Sequence, residues 1–180
     1  VKFTLGSAYF QQENYQQAAD TIEAGLALES DSPEALFDLG NAYLKLLEYD
    51  RAIASYNKAY ELEEGFWPAI NNIGLIEYEQ GKIDAAIEKW RISAEIAENA
   101  SEPQLAIAVA LYQRGNQEEA LSLATTALTS DSRYGNLEFL EENLWGEKLL
   151  SDTAEFFTSP VMEATLTRLQ INPPTPLTSP

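Results

Sequence analysis

The sequence predicts an all-α fold of the α-solenoid kind: a superhelix of helix–turn–helix repeats with a helical cap at its C-terminal end. Three observations carry the prediction. Small residues recur every 34 positions: Gly6, Gly40, Gly74 and Ala108; Ala18, Ala52, Ala86 and Ala120; Gly25, Ala59, Ser93 and Ala127. A fixed period of this length marks a repeat array. Within each period the apolar residues fall at helical spacing, as in Leu36, Leu39, Tyr43 and Leu46. Short turn segments separate the helical stretches, as antiparallel neighbours require.

Taken in order, residues 1–32, 33–66, 67–100 and 101–134 are four such repeats. In the second, the first helix (A) runs from Pro33 to about Leu46. The second helix (B) starts near Tyr49 and carries Ala52, Ile53, Tyr56, Ala59 and Tyr60. In the third and fourth, "EQGKID" and "QRGNQE" hold the turn, with Gly81 and Gly115 as helix stops. Pro33, Pro68 and Pro103 fall at or just inside helix starts, where a missing N–H costs little. A glycine inside a helix costs about 1 kcal/mol relative to alanine. Gly40 therefore predicts a point where two helices approach too closely for a larger side chain. Such units cannot bury their faces alone, so they stack.

After Gly135 the register is lost. Leu137, Leu140, Leu144, Trp145, Leu149, Phe156 and Phe157 still predict amphipathic helices, broken near Gly146 and at Ser159-Pro160. Residues 135–170 read as the cap an array needs at its open end, or as an added recognition element. The tail, 171–180, holds four prolines in "INPPTPLTSP" and is expected to be extended and flexible.

The register resembles the tetratricopeptide repeat (TPR). Its signature is a large apolar residue, then Leu-Gly, Tyr, Ala and an aromatic. Here it reads Leu36, Leu39-Gly40, Tyr43, Ala52, Tyr56 and Ala59, and then Ile70, Ile73-Gly74, Ala86 and Trp90. The resemblance implies a protein or peptide partner held in a concave groove lined by the A helices. Carrying the groove positions over gives Phe3, Ser7 and Phe10, then Phe37, Asn41 and Leu44. The third repeat adds Asn71, Asn72, Leu75 and Tyr78, and the fourth Leu105, Val109 and Tyr112. Apolar residues there would anchor a partner by desolvation, and the amides Asn41 and Asn71 would bond its backbone. The carboxylate clamp of chaperone-binding members is not matched. Asn41 and Asn72 stand at its amide positions, but Phe37, Glu102 and Ala106 stand where cations are needed.

Composition bounds the chemistry. The chain of 180 residues has no Cys and no His. That removes thiol chemistry and the commonest neutral-pH acid, base and metal ligand. The glycines are isolated, so no phosphate-binding loop is formed, and no zinc, haem or calcium spacing occurs. No enzyme activity, cofactor or metal is expected. Net charge is −18, from 29 acidic and 11 basic residues. A nucleic-acid partner is disfavoured, and so is direct contact with an anionic membrane. Solubility accounts for the acidic excess, with a basic partner the sharper alternative.

The run "SRYGNLEFLEENLWGEKLLSDTAEFF" resembles the C-terminal extension of cyanobacterial and plastid TPR proteins. These are membrane-anchored ahead of the repeats and serve chlorophyll synthesis or photosystem assembly. Gly6 as the eighth repeat position puts the first position before Val1, so an anchor or further sequence is expected ahead of it. The resemblance implies a soluble segment, cytoplasmic or stromal, tethered to the thylakoid membrane. Two functions follow as expectations: a non-catalytic scaffold recruiting a partner, or a peptide-binding co-chaperone or sorting receptor for short apolar motifs.

Overall fold

The computed structural model describes residues 2–28 and 32–172. Among the described residues every regular element is helical. The repeat pairs are α1 (Lys2–Gln11) with α2 (Tyr15–Leu26), α3 (Pro33–Lys45) with α4 (Tyr49–Leu62), α5 (Trp67–Glu79) followed by α6 (Ile83–Ile96), and α7 (Ser101–Gln113) with α8 (Gln117–Ser130). A 3-10 turn, Ser132–Gly135, leads into α9 (Leu137–Glu142), α10 (Glu147–Phe157) and α11 (Pro160–Arg168). Of the proline-rich tail, 173–180 lies outside the described residues. No described helix is long and apolar enough to cross a membrane.

The helix boundaries have local causes. Ser32 caps α3, its hydroxyl accepting from Ala35 N–H at 3.2 Å, and Pro33 follows in the first turn. Asn136 caps α9 in the same way, and Ser159 caps α11. Each A-to-B turn closes on a residue in the left-handed region. These are Glu13 (φ 60°), Leu47 (φ 60°), Gly81 (φ 76°) and Gly115 (φ 81°), again 34 apart. The turn geometry is thus common to all four repeats, although only two of them supply the glycine it favours.

The chain divides into two compact units, Val1–Ile76 and Glu77–Pro180, with the division inside α5. In the first, Ala18, Ala19, Ile22, Leu36, Leu39, Ala42, Tyr43, Ala52, Tyr56 and Ala59 form the core. The periodic glycines do mark close approaches. A Cβ on Gly40 would stand 2.9 Å from Cζ of Tyr56, with other ring atoms nearer still. One on Gly6 would strike Ile22, and one on Gly25 the Phe3 ring at 2.6 Å. Tyr43 donates to Glu23 and lies under the Arg51 guanidinium, 4.0 Å from its ring centre, so α2, α3 and α4 share one polar tie.

In the second unit Ala86, Trp90, Leu105, Val109, Ala120, Ala124 and Leu128 form the core. It then takes in Leu140, Trp145, Leu149, Phe156, Phe157 and Met162 from the segment after the repeats. Helix α10 packs against α7, and α11 against α8.

Candidate partner-binding face

In the first unit the A-helix residues form an aromatic and amide surface. The Phe37 ring centre is 5.6 Å from that of Tyr56 and 5.4 Å from that of Phe66. Phe10 meets Tyr15 edge-on at 5.2 Å, and the Lys45 ammonium lies over the same Tyr15 ring at 5.9 Å. Ser7 donates to Asp38 at 3.0 Å. Burial, opposed by this bond and reinforced by Glu34, holds the Asp38 carboxyl above the usual carboxylate range. Phe3, Phe10, Phe37 and Asn41 are half-buried, while Leu44 is buried.

The amides have a different placement from the one the sequence suggests. Tyr56 Oη donates to Asn41 Oδ1 at 2.7 Å, and Asn72 Nδ2 donates to the same oxygen at 3.0 Å. Asn71 Nδ2 in turn donates to Asn72 Oδ1 at 3.2 Å. Asn71 and Asn72 are 1% and 5% exposed. These amides bond one another and the Tyr56 phenol within the unit. They fix Tyr56, whose ring fills the space that Gly40 leaves open.

In the second unit the A-helix positions are covered by the chain itself. Tyr78, Leu105 and Val109 are fully buried, and Tyr112 is half-buried with its ring stacked on Phe156 at 4.6 Å and 28°. Leu75, on the part of α5 that belongs to the first unit, is also buried. Helix α10 runs over α7 and is held as well by Tyr78 and Glu79 at the end of α5. Glu79 accepts the Lys148 and Leu149 N–H groups, both at 3.0 Å, and so caps a helix whose own N-cap, Gly146, has no side chain. Tyr78 Oη donates to Asp152 at 2.6 Å. Lys148 holds the same carboxylate at 2.8 Å and lies 4.9 Å over the Tyr78 ring. Gln113 Nε2 donates to Glu155 at 3.2 Å. Burial first, and then Asp152, push the Tyr78 phenol well above its ordinary value.

Two further contacts seat the turn before α10. Trp145 Nε1 donates to the buried Glu102 at 3.0 Å, and a Cβ on Gly146 would collide with the Glu79 carboxylate. Burial, then the Glu102 charge, push the Tyr134 phenol up to about 12. Glu102 is one of the positions where a carboxylate clamp needs a cation; here it is an internal acceptor.

The sequence reading did not place α10 on the A-helix face. A signal was present in the paired aromatics Tyr78 and Tyr112, 34 apart, and in the density of Trp145, Phe156 and Phe157 beyond the repeats.

The profile of the tetratricopeptide repeat matches residues 3–65 and 71–134, which together exceed half of the chain. The chain belongs to the tetratricopeptide repeat family. No curated protein sequence matches it. Among solved structures, a crystal structure of MamA is 24% identical with a TM-score of 0.67, over 74% of this chain and 78% of that one. MamA from residue 41 to its end, from Desulfovibrio magneticus RS-1, is 14% identical with a TM-score of 0.67, over 94% and 91%. The first TPR of Spaghetti (RPAP3), bound to the HSP90 peptide SRMEEVD, is 20% identical with a TM-score of 0.60, over 63% and 90%. At these identities the likeness shows the fold. In the second unit of the TPR chain the A-helix residues are covered by α10.

Proposed function

We propose that this TPR chain is a non-catalytic protein-interaction scaffold that recruits a partner on the A-helix face of its first two repeats. The observation that carries this reading is the pair of half-buried aromatics Phe10 and Phe37, whose ring contacts are with Tyr15, Tyr56 and Phe66 of the same two repeats. Desolvated aromatic side chains are the usual anchors of an interface. The positions Asn71, Asn72, Leu75, Tyr78, Leu105, Val109 and Tyr112 then act by holding the fold and by framing that face, since their side chains are already engaged or buried. The resemblance of the C-terminal run supports a setting in chlorophyll synthesis or photosystem assembly at the thylakoid membrane, like that of the protochlorophyllide oxidoreductase-interacting TPR protein.

A second reading is a peptide-binding co-chaperone or sorting receptor for short apolar motifs; the likeness to a TPR domain that holds a peptide supports peptide binding as such. Affinity purification with quantitative mass spectrometry separates the two. A single stoichiometric folded partner supports the scaffold, and many short-motif clients support the receptor. In either case Phe10→Glu with Phe37→Ser should remove the captured protein while the circular dichroism stays helical. Arg91→Glu, on a B helix, should leave it bound. Undiminished capture by the paired variant refutes the face assignment.

A further inference from the structure

Tyr43 and the two side chains that hold it have counterparts two repeats later, where the tyrosine is missing. In the second repeat the Tyr43 side chain is buried, donates to Glu23 of the preceding B helix and lies under Arg51 of its own. Two 34-residue steps further on stand Leu111, Arg91 and Glu119. The charges have changed places: the preceding B helix now supplies the arginine and the repeat's own B helix the carboxylate. Between them is a leucine, which has neither the reach nor the hydroxyl of tyrosine. Arg91 and Glu119 are 3.7 Å apart on exposed side chains, against 3.0 Å for Arg51 and Glu23. An open cleft of about 510 Å³ lies at this place, between α6 and the end of α7. Its apolar lining is Ile87, Ile92 and Leu111, with Arg91 beside them. All of these residues belong to the second unit.

We propose that this cleft takes a tyrosine side chain of another protein, set between Arg91 and Glu119 as Tyr43 is set between Arg51 and Glu23. The ring rests on Ile87 and Leu111 and removes their apolar atoms from water. Its hydroxyl donates to Glu119 and accepts from Arg91, and the guanidinium is placed to lie on the ring. The cleft is larger than one ring, so the backbone on either side of the tyrosine lies in it as well. Charge selects the neighbours of that tyrosine. Asp84 at the rim is paired with Arg114, and Glu88 and Glu95 add negative charge beside the cleft. Basic residues flanking the tyrosine complement them. The cleft shares no residue with the A-helix face, so the site goes beyond the scaffold reading and does not depend on it.

The test titrates the full chain, carbon-13 labelled at its Ile and Leu methyl groups, with the peptide acetyl-Gly-Lys-Tyr-Lys-Gly-amide and follows the methyl NMR signals. Saturable shifts are expected at Ile87, Ile92 and Leu111. Phenylalanine in place of the peptide's tyrosine should weaken binding roughly fivefold through the lost hydroxyl bonds. Arg91→Glu should weaken it roughly tenfold. Arg91→Glu with Glu119→Arg should restore it, because that pair has the order of charges that holds Tyr43; recovery separates a charge contact from lost folding. Leu111→Tyr should abolish binding by filling the cleft from within while the circular dichroism stays helical. Absence of saturable shifts overturns the proposal, and so does undiminished binding to the Leu111→Tyr chain. Saturation by p-cresol with the peptide excluded overturns the assignment to a protein side chain and makes the cleft a small-molecule site. A dimer that Leu111→Tyr dissolves overturns it in favour of a second copy of this chain.

Discussion

The four A-to-B turns form a built-in experiment on backbone strain. Glu13, Leu47, Gly81 and Gly115 occupy equivalent left-handed positions. An L-residue in that region costs about 1–2 kcal/mol, whereas glycine pays about 0.5–1 kcal/mol of extra chain entropy on folding. The net advantage of glycine is therefore about 0.5–1 kcal/mol at each turn. Side-chain contacts do not blur the comparison. Nothing lies within 4 Å of a Cβ built on Gly81 or Gly115, and Leu47 is 70% exposed, so its truncation forfeits little burial. Leu47→Gly should raise stability by about 0.5–1 kcal/mol and Gly81→Ala should lower it by about 1 kcal/mol, midpoint shifts of roughly 2–4 °C per kcal/mol for a chain of this size. Urea and thermal melts followed by circular dichroism measure both, and amide exchange assigns each change to its own unit. If Leu47→Gly destabilises, or if Gly81→Ala is silent, the left-handed backbone is not what these positions are selected for, and the reasoning fails.

Two further outcomes follow from the first unit. Gly40→Leu should cost about 3 kcal/mol or more by overpacking, because the Tyr56 ring it would strike is held by Asn41 and Asn72 and cannot retreat; an unchanged melt would show that the helices can part without loss. Asp38→Asn should raise the midpoint at pH 7. The folded carboxyl sits above its unfolded value through burial, so the native chain takes up its proton first as the pH falls. The cost of burying the charge is present above the raised value and gone below the unfolded one, at about pH 4. The gain from Asp38→Asn should fade over that window, and an equal gain at pH 7 and pH 4 would assign the effect to something other than titration.

The repeats were legible because their signals are local and periodic. Gly6, Gly25 and Gly40 are small for the reason the period implies, each facing a bulky side chain of its partner helix. Helix starts at Pro33 and Tyr49, stops at Gly81 and Gly115, and the break before Pro160 are set by caps and turn residues that lie in the chain within a few positions of where they act. Leu47 was not legible as a turn closer, since leucine carries no preference for a left-handed backbone. The face was legible only in part. Its positions follow from the register, but whether a position is open depends on what else covers it, and that is a long-range fact. Glu79 and Leu149 are joined by a hydrogen bond across 70 residues, Glu102 and Trp145 across 43. No period or cap connects them.

This difference decides what a substitution on the face would mean. Leu75 is 1% exposed, and Tyr112 is stacked on Phe156. A glutamate at the first would bury a charge without a partner, and an alanine at the second would remove the platform under α10. Loss of partner binding in such variants would report a damaged fold and say nothing about contact. Phe10 and Lys45 differ in kind: neither is in the core, and their ring contact is with Tyr15 at the start of α2. Changing Lys45 to arginine or glutamate alters the charge offered to a partner and leaves the core of either unit untouched. On an array whose repeats use one position for core packing in one place, a copy of that position outside the core is where binding and folding can be separated.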